Sequence, residues 1–123
     1  MNEVVTTTTE ELLRRLALQD ESIVQTVLAM RMESPEARLQ QRVQAMARLS
    51  ALIALDAPVV SYQSTVIDAL ASGVTADEIV GTLIAVAPIV GLARVTSAAP
   101  AIALALGYDL DAAFEQVNAL NND

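Results

Sequence analysis

The chain contains no cysteine, no histidine and no lysine, and all seven of its basic residues are arginine. Without cysteine there is no thiol nucleophile, no redox dithiol and no disulfide from which to infer a compartment. Without histidine and cysteine, imidazole catalysis and most transition-metal ligation go too, and without lysine so does Schiff-base chemistry. What remains is carboxylate, hydroxyl, guanidinium and backbone, so no metal and no cofactor are expected. Aromatic residues are scarce as well, Tyr62, Tyr108 and Phe114 being the whole set. The core must therefore be built from Ala, Leu, Ile, Val and Met, which suits closely packed helices. Positive charge is short against fifteen acids, for a net charge of −8, and the arginines are dispersed. A phosphate backbone needs a positive stripe, so no nucleic-acid partner is expected.

Apolar side chain, by contrast, is plentiful. A length of 123 residues suits one domain, 1–123, but 54% hydrophobic residues is more than a small monomer can easily hide. The surplus points to a membrane or to a partner subunit. Residues 79–93 carry no charge and neither do residues 95–108, with Arg94 alone between them. As a membrane span this tract would hold a guanidinium at mid-depth, which is costly. Pro88, Gly91 and Pro100 also divide it, so a buried helical hairpin is the better expectation, with no membrane partner. The start, MNEVVTTTTEELLRR, lacks the charged and apolar regions of a secretory signal, which makes cytoplasm the expected location.

Local signals predict helices and no strands. Thr9 can cap a first helix with Glu10–Arg14 and Glu11–Arg15 pairs, in which Leu12, Leu13 and Leu16 share a face. Asp20 can cap a second, ending near Glu33, with Ile23, Val27 and Met30 on one stripe. Ser34-Pro35-Glu36 reads as the start of a third, carrying Leu39, Val43, Met46 and Ile53 inward and Arg38 and Arg42 on its wet face. A fourth is predicted from Val59 to Ser72, stopped by Gly73 in a left-handed cap. Thr75 and Glu78 form a capping box for the fifth, the apolar hairpin supplies one more, and a last helix is predicted from Leu110 to Leu120. The expected class is all-α, with about six helices.

The segments LSALIALDAP, ALASGVTADEIVGTL and APIVGLARV, with their fixed glycines and prolines, resemble the carboxymuconolactone decarboxylase family, which includes the alkylhydroperoxidase D-like proteins. The resemblance covers roughly residues 38–106. It implies a small helical alkylhydroperoxidase D-like domain that assembles with itself as a homotrimer or homohexamer. In the peroxidase branch a Cys-x-x-Cys-x-x-x-His motif reduces peroxide, and its positions fall here on Pro58, Ser61 and Thr65. None of these side chains can cycle through a disulfide, so a thiol peroxidase is excluded. The Ser-His of the decarboxylase branch is matched by Ser64 and Thr65, so that histidine is lost as well.

No catalytic residue is assigned. The acids left for proton transfer are Tyr62, Asp56, Asp68 and Glu78, with Glu78 weakest because capping already explains it. Ser61 has no histidine and no glycine-framed elbow, which argues against a serine hydrolase. Tyr62, Thr65 and Arg94 are the candidate ligand-binding residues. Arg94, set in an apolar tract, is expected to meet either an acid, such as Asp68, Glu78 or one from a neighbouring chain, or a bound anion beside Tyr62 and Thr65. Two functions follow: a protein that binds, and in an active form transforms, a small organic acid or lactone between subunits, or a non-catalytic assembly protein that kept the fold and lost the site.

Overall fold

The computed structural model describes residues 8–31, 34, 37–110 and 119–120. The described residues form six helices and no strand, so the chain is all-α. They divide into two compact units, residues 1–41 and 42–123.

The first unit holds α1 (Thr9–Ala17) and α2 (Glu21–Ala29), which pack against each other. The cap of α1 is Thr8, one residue earlier than expected: its hydroxyl accepts from the Glu11 N–H at 3.2 Å. Arg14 is held by Glu11 at 2.6 Å rather than by Glu10. Asp20 does cap α2, accepting from the backbone N–H groups of Ser22 and Ile23. Ile23 is buried, whereas Val27 on the same stripe is exposed.

That helix stops at Ala29, short of Glu33, because Met30 turns extended. The Arg31 N–H then donates to the Ser34 hydroxyl at 2.9 Å, which spends Ser34 backward on a turn instead of forward on a helix cap. Residues 37–40 are accordingly non-helical and the next helix begins at Gln41. Pro35 and Glu36 lie outside the described residues, as does most of the helix expected over 110–120.

The second unit contains α3 (Gln41–Leu55) but for its first residue, α4 (Val59–Ala71), α5 (Ala76–Val90) and α6 (Leu92–Ala105), and α6 packs on both α4 and α5. The inward face of α3 is Gln44, Ala45, Leu49 and Ile53. Ile53 is buried as expected, but Leu39 precedes the helix and is 52% exposed, and Val43 also faces outward. Tyr62, Val66 and Ala69 line α4 at helical spacing, Ile79, Thr82 and Leu83 line α5, and Ala98, Ala101, Ile102 and Ala103 line α6. Each large apolar side chain fully removed from water contributes about 1.5–3 kcal/mol. The alanines of α6 let two neighbours approach its backbone closely.

The joints are chemical. Gly73, at φ +92, ends α4 in a conformation that a Cβ would strain. Both bonds of the Thr75–Glu78 capping box are present at the start of α5. Gly91, at φ +90, separates α5 from α6, so the uncharged tract does fold as a helical hairpin. It is buried on one side only: Ile79, Leu83, Ala98 and Ile102 are removed from water, whereas Ile89 is 87% and Leu92 74% exposed, and Ile84 and Leu104 also face outward. Among the described residues nothing covers the other side of the hairpin. No helix among the described residues is long and apolar enough to cross a membrane.

Candidate functional site

The site is built where α3 ends and α6 begins. At Asp56 the backbone enters the left-handed region, φ +53, as the Asp56 N–H donates to Ile53 O and the Ala57 N–H to Leu52 O. Aspartate tolerates this conformation better than most residues do. Its carboxylate reaches α6, which presents Arg94 and Ser97 on adjacent turns of one face. The Ser97 hydroxyl donates to Asp56 Oδ1 at 2.8 Å, while Asp56 Oδ2 stands 3.7 Å from Arg94 Nη1.

That second separation is beyond hydrogen-bond range, and no other partner of Arg94 occurs among the described residues. The Asp56 and Arg94 side chains are 49% and 47% exposed. Arg94 is thus neither buried nor tightly paired, and its acid is Asp56, not Asp68 or Glu78. Its exposure has the same cause as that of Leu92 beside it: the start of α6 lies at the surface of the chain.

Tyr62 lies beneath this pair. Its ring is only 2% exposed, so it is not the partly exposed residue that a helix start suggests, and its hydroxyl donates to Leu52 O at 3.0 Å. Burial above all, and the Asp56 charge to a lesser degree, push its phenol above the ordinary value; the hydrogen bond at Ala57 and the Arg94 charge oppose this. A phenol that is both committed and harder to ionise is a wall of the site more than a proton donor. Thr65, one turn further along α4, is half-buried and makes no hydrogen bond among the described residues through its hydroxyl. The contacts joining Asp56, Arg94, Ser97 and Tyr62 do not extend to it. Pro58 is exposed at the start of α4 and Ser61 is half-buried. With Thr65 they fall on one stripe, at a spacing of three and four residues.

The remaining candidate acids lie elsewhere. Asp68 is exposed on α4. Glu78 is doubly engaged, closing the capping box and receiving Arg42 Nη2 at 2.5 Å. Arg42 is therefore a partner across 36 residues, not a solvated charge. The Thr75 N–H first, and then Arg42, hold the Glu78 carboxyl below its ordinary range, which keeps it ionised at neutral pH. Ser97 was not among the sequence candidates; its signal is its place three residues after Arg94. Among the described residues no cluster of His, Cys, Asp and Glu is arranged to hold a metal. Compared with protein-family models, curated proteins and solved structures, the chain matches none, so its reading rests on its own residues.

Proposed function

We propose that this chain is a cysteine-free carboxymuconolactone decarboxylase-like protein of alkylhydroperoxidase D-like fold, which binds a small organic acid or lactone while assembled as a homotrimer or homohexamer. The observation that carries the reading is Arg94. A half-exposed guanidinium with five N–H donors makes one ionic contact at 3.7 Å and no hydrogen bond among the described residues. Such a group is ready to receive a carboxylate through two parallel bonds. Isothermal titration with benzoate and with small lactone acids tests it: saturable binding is expected, and Arg94→Met should abolish it with the fold intact. An unchanged affinity in that variant would remove the reading.

A second reading, a non-catalytic assembly protein, is favoured by the outward apolar side chains of the α5–α6 hairpin, Ile84, Ile89, Leu92 and Leu104. Large apolar side chains left outward in this number are ordinarily covered by another subunit. Both readings expect light scattering to give at least three times the chain mass of 13.0 kDa, with little response to salt, since apolar burial is not screened. They part on Arg94→Met, which in the assembly reading alters oligomer mass and leaves no ligand binding to lose.

A further inference from the structure

The first unit gathers more apolar side chain than it buries. Its helices α1 and α2 are joined by three residues and fold back on one another as an αα-hairpin. The joint is polar: Gln19, at φ +56, makes the reversal, Arg15 Nη2 donates to the Ser22 hydroxyl at 2.9 Å, and that hydroxyl donates to Asp20 Oδ1 at 2.7 Å. Among the described residues of this unit only Ile23 is buried, whereas Leu13, Leu16, Val27 and Leu28 are exposed.

These four side chains share one side of the hairpin. Going round α1 from half-buried Leu12, Leu16 and then Leu13 follow in the same rotational sense in which Val27 and then Leu28 follow round α2 from buried Ile23. Because the helices run in opposite directions, equal senses lead to the same side. The edge of this apolar side carries Glu10 and Glu21 beside Arg14, whereas a helix lying on a membrane surface wants cations there. A second copy of the hairpin suits it better. Residues 8–31 hold four acids and three arginines, so two hairpins meet with little repulsion although the whole chain is at −8.

We infer that this side is a two-fold contact with the same side of a second copy, the two hairpins closing into a four-helix bundle. Each helix has nine residues, so the face is about 14 Å long and two helices wide, about 300 Å² in outline against the about 800 Å² per partner of a stable interface. One such contact is weak. Three made together by two trimers reinforce one another through effective concentration. On the trimer or hexamer reading, on which this step rests, the α1–α2 hairpin is the joint that turns the one into the other.

Light scattering on the full chain tests it, with the double variant Leu13→Glu, Leu28→Glu and its uncharged counterpart Leu13→Gln, Leu28→Gln. Both positions are exposed, so the hairpin keeps its fold, which circular dichroism melting checks. The unaltered protein should have about six times the chain mass of 13.0 kDa, and both double variants should halve it. Six chains in every protein overturn the inference and leave the assembly reading standing, as does an unaltered protein that stays at three chains up to about millimolar concentration. An unaltered dimer that the variants turn into monomers upholds the hairpin contact and removes the trimer. An unaltered monomer removes both.

Discussion

Two arginines in the second unit, Arg42 and Arg94, each face an acid far away in sequence, and they are used in opposite ways. Arg42 meets Glu78 at 2.5 Å, and the same carboxylate accepts the Thr75 N–H at 3.0 Å. Arg94 stands 3.7 Å from Asp56, whose other oxygen is taken by Ser97. The exposures of the two pairs are similar, so depth in the protein does not separate them. Geometry does. A charge-assisted bond of the first kind leaves a carboxylate with little left to offer. The second arrangement leaves a cation with unspent donors. In the proposed reading the tight pair is structural and the loose one is open to a ligand.

The largest effect expected from breaking this contrast comes from beneath the loose pair. Tyr62→Ala removes a buried ring next to the Asp56 turn and should lower stability by about 3–5 kcal/mol, measured by urea unfolding. Tyr62→Phe removes only the bond to Leu52 O and should cost about 1 kcal/mol, leaving carboxylate binding intact if the ring is a wall. Loss of binding in Tyr62→Phe with full stability would instead make the phenol a ligand donor.

A smaller effect is expected at the tight pair. The Glu78 carboxyl is depressed in the folded state, so its contribution is fully present above the ordinary carboxylate value of 4.5 and is lost as pH falls through the lowered one. Glu78→Gln should therefore lower the urea midpoint at neutral pH, and the gap to the unaltered protein should close on acidification. A gap that widens at low pH would contradict this sign.

Smaller still is the cost of Arg94→Met, at most about 0.5 kcal/mol, because a long, half-exposed ion pair holds little of the fold together. A loss as large as that from Glu78→Gln would erase the contrast between the two arginines. The smallest response is a null: hydroperoxide added with a dithiol donor should be turned over no faster than by heat-killed protein. Turnover above that control would require a redox group that Pro58, Ser61 and Thr65 cannot supply.

What the sequence revealed was mostly local chemistry. Asp20 as a cap, Gly73 and Gly91 as breaks and the Thr75–Glu78 box are each contained within about a turn of helix, so their partners could be read directly. Thr8 was missed because a run of four threonines, residues 6–9, offers several equivalent caps. Ser34 misleads as a cap signal because its hydroxyl has two directions in which to accept, and the choice depends on Arg31. Arg42 looked like a solvated charge since its acid is 36 residues away. Asp56 and Arg94 were each noticed, but nothing in the pattern joined them. The apolar tract is buried on one side and open on the other, a division that hydropathy does not show, because it reports distaste for water without saying whether the cover comes from the same chain or from another.

The left-handed turn at Asp56 also bears on how this site can change through descent. Every aspartate codon becomes an asparagine codon by a single base substitution, and asparagine is among the few residues at ease in that backbone conformation. Neutralising the internal carboxylate therefore requires neither a rebuilt loop nor a compensating change elsewhere. A lineage carrying this fold can therefore remove or restore the charge beside Arg94 in one step.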